Sequence, residues 1–324
     1  DTLKEVLVDY GVSFLEIELT GRCRNNCAYC GVGGPASTNL PIDPLLSFLK
    51  NWHQTVLQSR RIPHLSLTGG DPLLYPNLHP LLTTVSSLTI PFMFKTKALS
   101  IDFDIDTLPA KPSAIKLTIP DSIEDGRRDN MNDLYRATSL LHKRCIPVIW
   151  QASVHSSNWK LLLKSIETAG SYSPVTLAVG RILPIYGPGF YTIKSGDYER
   201  FLCGLLSIYQ NLYTQNVSLR FKENLWIPLL QKLELLPTEN SQSSAQCCDC
   251  FTEQLSIDRN GNIYPCGLIR SSIIGTINDH PYQLFNKRKS TMVPEKFACR
   301  SCKNFACCGG SVGASESITG SRFS

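Results

Sequence analysis

Residues 23–30 read Cys-Arg-Asn-Asn-Cys-Ala-Tyr-Cys, three thiols in eight positions with no fourth beside them. Four closely spaced thiolates would close a tetrahedral zinc site or fully ligate an iron–sulfur cluster. An organised trio therefore leaves one coordination position to another ligand. A second stretch, Thr68-Gly69-Gly70-Asp71-Pro72, follows a short apolar run. Paired glycines there permit close backbone approach to a ligand, and the neighbouring carboxylate can hold an amino group. The other cysteines gather late: of thirteen, at 23, 27, 30, 145, 203, 247, 248, 250, 266, 299, 302, 307 and 308, eight fall in the last quarter. A secreted disulfide scaffold would be shorter, with an even cysteine count and a signal peptide. Thiolate–metal chemistry in a reducing cytoplasm is the expectation.

These motifs need a frame. Apolar or alternating runs predict strands at Phe14–Leu19, His64–Thr68, Phe92–Thr96, Ala114–Ile119, Val148–Val154 and Thr176–Arg181. Amphipathic segments between them, Asp43–Gln58, Asn77–Ser87, Asp133–Arg144, Trp159–Ala169 and Asp197–Tyr213, predict helices. Six strand–helix units argue for an α/β fold with a parallel sheet and right-handed crossovers, open or closed into a partial barrel. After Leu236 the polar stretch PTENSQSSAQ reads as a linker, giving an expected core domain at 10–236 and a small cysteine-rich domain at 245–324. The thiol trio follows the first strand and the Gly-Gly-Asp stretch the second, so both loops should face each other at the carboxyl end of the sheet, where parallel α/β folds build active sites.

Composition excludes several classes. With 324 residues, 42% of them apolar and 18% charged, the chain can bury a sizeable core. It has no apolar run of about eighteen residues and no basic-then-apolar amino end, so neither a membrane span nor a secretory signal is expected. The net charge of +5 comes from dispersed Lys and Arg, without the polybasic or aromatic-interleaved track of a nucleic-acid binder.

The Cys-x3-Cys-x2-Cys spacing, with Tyr29 before the last cysteine, resembles the radical S-adenosylmethionine (SAM) superfamily, and Gly69-Gly70-Asp71-Pro72 resembles its Gly-Gly-Glu-Pro motif with Asp in place of Glu. The resemblance implies a partial (β/α)6 barrel in which Cys23, Cys27 and Cys30 ligate three irons of a [4Fe–4S] cluster. SAM would take the vacant position through its amino and carboxylate groups. Gly69, Gly70 and Asp71 would contact the methionyl amino group, and backbone at Tyr29 would approach the adenine. A zinc knuckle completed by a distant His is the bland alternative.

The tail carries its own pattern: Cys250, then Gly261, Cys266, and Cys299-x2-Cys302-x5-Cys308. It resembles the auxiliary-cluster domain called SPASM, or its shortened relative called twitch. A full SPASM domain adds a cysteine where this chain has Val312, so the resemblance implies at least one auxiliary [4Fe–4S] cluster, held by Cys250, Cys266, Cys299 and Cys302. A zinc ribbon on the same four residues is the alternative. Within this stretch Asp258-Arg259-Asn260-Gly261 reads as a hairpin turn between two short strands. Cys247, Cys248, Cys307 and Cys308 remain spare, and one of them, provisionally Cys248, is a candidate hydrogen-atom donor as in some radical SAM epimerases. Cys145 and Cys203 read as core.

Further candidates are Arg181 at the end of the sixth strand, which could reach SAM or substrate, and Asn158 after the fifth strand, a candidate cofactor contact or helix cap. Ser122, Glu124 and Asp125 follow the fourth strand and could meet substrate. The implied reaction splits SAM to a 5′-deoxyadenosyl radical that abstracts hydrogen from a substrate carbon, leading to oxidation, crosslinking or epimerisation. The expected substrate is a ribosomally made peptide, with an amino sugar or other small metabolite as the alternative, and an electron donor such as flavodoxin or ferredoxin as partner. Only 22 residues precede Cys23, fewer than the peptide-recognition domain of some relatives, so leader capture would need another route. A non-catalytic iron–sulfur or zinc protein is the reading from a different class.

Overall fold

The computed structural model describes residues 12–25, 27, 30, 32, 38–98, 105–120, 130–183, 191–222, 226–234 and 253–284. They fall into two compact units. The first contains the described residues of 12–25, 32–115 and 253–284, and the second contains 27, 30 and those of 116–234.

In the first unit β1 (Phe14–Thr20) shows why these residues make a strand. Leu15, Ile17 and Leu19 alternate onto one face and are fully buried, while Glu16, Glu18 and Thr20 share the other. Burial of each such apolar side chain contributes about 1.5–3 kcal/mol. Helix α1 (Ile42–Gln58) buries Leu45, Phe48, Leu49, Trp52 and Val56, the i, i+3, i+4, i+7 stripe of a core-facing helix. The Trp52 indole N–H donates to Val12 O at 2.8 Å, so even its polar end is paired. Then come β2 (His64–Gly69), α2 (Leu78–Ser87) and β3 (Phe92–Thr96), with β1 and β2 paired in parallel from Phe14↔His64 to Glu18↔Thr68.

The second unit repeats the strand–helix alternation. β4 (Ala114–Thr118) leads into it, followed by α3 (Met131–Lys143), β5 (Val148–Val154), α4 (Trp159–Glu167), β6 (Val175–Arg181) and α5 (Ser195–Thr214). Asn130 and Asp133 form a reciprocal capping box that satisfies the first N–H groups of α3. β5 and β6 pair in parallel along seven residues, Val148↔Val175 to Val154↔Arg181. All six expected strands and five expected helices are present within two residues of their expected bounds.

Five elements lie beyond these six strands and five helices. β7 (Ser218–Phe221) continues the parallel order beside β6, and no residue of it is fully buried, which is why its sequence gives so weak a strand signal. Helix α6 (Trp226–Lys232) is only seven residues long and contains Pro228. In the first unit β8 (Gln254–Ile257) pairs in parallel with β1, Phe14↔Gln254 to Ile17↔Ile257. β9 (Asn262–Tyr264) returns antiparallel from β8 through the expected turn at Asp258–Gly261, where Gly261 takes φ 85°. β10 (Gly275–Thr276) pairs with β9, so this unit has the strand order β10-β9-β8-β1-β2-β3.

One expectation is corrected. Cys145 and Cys203 are exposed, not core. Cys145 stands two residues past α3 with φ 53°, the left-handed conformation that ends a helix and turns the chain outward. Cys203 follows the buried Phe201 and Leu202 of α5 and lies off their stripe. Among the described residues no helix is long and apolar enough to cross a membrane.

Candidate active site

The loops leaving β1 and β2 are bonded backbone to backbone, as their strand positions require. Gly70 N donates to Thr20 O at 2.7 Å, and Asp71 N donates to Arg22 O at 2.7 Å, one residue before Cys23. Only glycine fits here. A Cβ on Gly70 would collide with Arg22 O and stand 2.6 Å from Gly21 O. One on Gly69 would collide with the Thr20 carbonyl, and its φ of 131° is one that L side chains rarely adopt.

Asp71 is completely buried. Its Oδ1 accepts from the Thr96 hydroxyl at 2.7 Å and from Leu73 N at 3.2 Å, so one carboxylate oxygen fixes both the end of β3 and the short turn after Gly70. A buried carboxylate held in this way is oriented before any ligand arrives.

Cys23, Cys27 and Cys30 are half-buried, buried and exposed in turn. Asn25 N donates to Cys23 Sγ at 3.4 Å. Cys30 N donates to Cys27 O at 3.0 Å, closing the Cys-x2-Cys turn. Cys266, buried after β9, repeats the Cys23 arrangement: Leu268 N donates to its Sγ at 3.2 Å, again from two residues on. The donor types, three closely spaced thiols of which Cys23 accepts an N–H, fit a thiolate-held cluster with one open iron. Among the described residues no group of three or more His, Cys, Asp or Glu side chains stands assembled as a metal site. Tyr29, Cys247, Cys248, Cys250, Cys299, Cys302, Cys307 and Cys308 lie outside the described residues, as do Ser122, Glu124 and Asp125.

In the second unit Asn158 stands just before α4 yet does not cap it with its side chain. Its Oδ1 accepts from His155 N at 2.8 Å and its Nδ2 donates to Ser153 O at 2.9 Å, bracing the exit of β5. Arg181 ends β6 with its guanidinium 5.4 Å from the Tyr198 ring centroid, a cation–π contact.

Sequence reasoning missed the polar face of β1. Glu16 pairs with Lys95 of β3, and Glu18 pairs with Arg270, which follows Cys266 by four residues. Arg270 also lies 4.9 Å from the Tyr264 ring centroid and donates through Nε to Gly267 O at 3.0 Å. Burial raises the pKa of Glu18, with Arg270 opposing. The signal was present in the sequence: a strand inside a parallel sheet is normally apolar on both faces, and Phe-Leu-Glu-Ile-Glu-Leu-Thr is not. The β8–β9 turn is tied to the loop after the cysteine trio, through Arg259 Nη1 donating to Val32 O at 2.7 Å.

No family model and no curated protein matches the chain. Solved structures do. SuiB of Streptococcus suis bound to S-adenosylmethionine is similar at a TM-score of 0.70 and 14% identity, over 96% of this chain and 75% of that one. The protein anSMEcpe with bound AdoMet is similar at 0.69 and 19%, over 96% of this chain and 92% of that one. SuiB bound to precursor peptide SuiA is similar at 0.67 and 15%, over 96% and 74%. Two of these structures hold S-adenosylmethionine and one a precursor peptide, and the chain shares their α/β fold.

Proposed function

We propose that this chain is a radical SAM enzyme that modifies a peptide. The observation that carries the reading is the pair of 2.7 Å backbone bonds locking Gly70 and Asp71 against the loop that enters Cys23. A fixed carboxylate and two side-chain-free glycines beside the loop that enters Cys23 form a cradle for a small zwitterion. In this reading Cys23, Cys27 and Cys30 hold a [4Fe–4S] cluster, and Gly69, Gly70 and Asp71 receive the SAM amino group. Held there, the cluster and SAM would supply the radical chemistry by which hydrogen is taken from a substrate carbon. The cysteine and Gly-Gly-Asp-Pro motifs and the similarity of fold support this together.

Peptide as substrate is supported by the neighbours solved with peptides, SuiB with SuiA and anSMEcpe with the Cp18Cys peptide. Cys266, with Cys250, Cys299 and Cys302, would hold an auxiliary cluster, and the N–H that Leu268 donates to its sulfur fixes the direction of that side chain. Asn158 and Arg181 are second-rank candidates for SAM or substrate contact, and Cys248 for hydrogen return. A flavodoxin- or ferredoxin-like donor in the cytoplasm would supply the electron.

Anaerobic reconstitution with iron counting and SAM cleavage tests the proposal. About eight irons falling to about four in a Cys23/Cys27/Cys30→Ala variant, with 5′-deoxyadenosine formation abolished, is the expected result. Zinc in place of iron, or an iron-loaded protein that does not cleave SAM under strong reductant, would leave a metal-stabilised scaffold instead.

A further inference from the structure

The loop that enters Cys23 is held by its main chain and presents arginines to solvent. Arg22 N donates to Thr20 Oγ1 at 3.0 Å and Arg22 O accepts from Asp71 N at 2.7 Å, so the backbone on both sides of this residue is fixed. Arg22 is exposed, and so is Arg24, which stands between the half-buried Cys23 and the buried Asn25. Among the described residues neither guanidinium has a carboxylate partner. The β8–β9 turn adds a third arginine. Gly21 N donates to Thr38 O at 3.1 Å and Thr38 Oγ1 to Asn260 Oδ1 at 3.3 Å, which brings the turn alongside the Arg22 loop. Arg259 of that turn gives one N–H to Val32 O at 2.7 Å, a neutral carbonyl that leaves its charge uncompensated.

Carboxylates near these arginines do not cover them. Glu16 and Glu18 are paired with Lys95 and Arg270, and Asp71 and Asp258 are buried and bonded within the fold. The exposed Asp43 opens α1, where the positive end of the helix balances it. An approaching partner therefore meets guanidinium first. Exposed charges of this kind contribute little to stability, so three around one loop call for another explanation.

We propose that Arg22, Arg24 and Arg259 form the docking rim for a small acidic electron-transfer protein. The assignment deepens the radical SAM reading and rests on it: the chemistry takes an electron from outside, and the rim surrounds the loop of the first thiol ligand. One electron passes from the donor's reduced cofactor to the site, and the donor leaves oxidised by one electron. Opposite charge steers such encounters, raising association rates by about 10–1,000-fold at low salt. An acidic protein fits better than nucleic acid, because three arginines around one loop make a compact patch and not a track for a phosphate backbone.

The full-length protein, reconstituted with iron and sulfide, is titrated calorimetrically with oxidised flavodoxin, an acidic flavoprotein, as the probe. Its reduction by flavodoxin hydroquinone and by the methyl viologen radical cation is followed by stopped flow. Micromolar binding is expected for the wild type, weakening about tenfold between about 50 and about 200 mM salt. In Arg22→Gln/Arg24→Gln, binding and reduction by flavodoxin should both fall about tenfold, while reduction by methyl viologen and the urea midpoint hold. Equal flavodoxin binding in the variant, or equal slowing with both donors, would overturn the rim. Tighter binding of a single-stranded oligonucleotide than of flavodoxin at the same salt would also overturn it and assign the arginines to nucleic acid. Flavodoxin binding lost in the variant, beside a wild type that makes no 5′-deoxyadenosine under methyl viologen, would keep the rim and discard the radical reading. 5′-Deoxyadenosine made under methyl viologen by a wild type that does not bind flavodoxin would do the reverse.

Discussion

Glu18 and Arg270 form an ion pair across 252 positions of sequence, with side chains only 8% and 17% exposed. The pair ties the residues following Cys266 to the strand that leads into Cys23. Burying two charges is expensive, and the Arg270 contacts to Gly267 O and the Tyr264 ring help to offset that cost.

Arg270→Met should be severely destabilising, by about 3–5 kcal/mol, because it leaves the Glu18 carboxylate buried without its cation. Glu18→Gln/Arg270→Met should recover most of the loss. A double-mutant cycle by urea denaturation measures the coupling, and additive losses would mean that the pair is only adjacent.

The pH dependence of the same carboxylate has a definite sign. Its folded pKa lies above the ordinary 4.5, because burial outweighs the pull of Arg270. Between the unfolded and folded pKa values the folded chain therefore holds a proton that the unfolded chain has released, and above them the carboxylate is ionised in its pair with Arg270. That contribution is complete below the unfolded pKa and is lost as pH rises through the folded value. Urea titrations from about pH 4 to 7 should show the stability difference between wild type and Glu18→Gln moving steadily in favour of the Gln variant.

Gly70→Ala should separate the two loops, since its Cβ has no space between Gly21 O and Arg22 O. A loss of about 1–3 kcal/mol is expected from the overpacking. Circular dichroism should show the fold retained while SAM-dependent 5′-deoxyadenosine formation falls at least tenfold.

Two substitutions of Asp71 separate structure from ligand contact. Asp71→Ala removes the acceptor of both Thr96 Oγ1 and Leu73 N and should lower stability by about 1–3 kcal/mol. Asp71→Asn keeps an Oδ1 acceptor and should hold stability within about 1 kcal/mol, yet weaken SAM binding at least tenfold by removing the charge that the proposed site offers to the amino group. Equilibrium dialysis with labelled SAM, beside urea curves, reads both effects.

The candidate motifs are legible in sequence because ligand spacing and glycine requirements are local. Cys-x3-Cys-x2-Cys and Gly-Gly-Asp-Pro each state their geometry within eight residues. Period-two and period-3.6 patterns likewise gave six strands and five helices, since each buries one face against the core. β7 escaped because an edge strand with no fully buried residue carries little pattern. Cys145 and Cys203 were misread because an apolar neighbourhood in sequence does not say which way a helix turns its residues.

Tertiary structure decided what meets across long separations. The alternation Phe-Leu-Glu-Ile-Glu-Leu-Thr states that Glu16 and Glu18 share a face. Only the pairing of β8 with β1 supplies Ser256 to one and Arg270 to the other. The buried position of Asp71 likewise depends on Thr96, 25 residues on. Local sequence sets backbone conformation and side-chain periodicity through short-range sterics and hydrogen bonding. Register between distant strands is set by the joint burial of apolar faces, and no single segment encodes that sum.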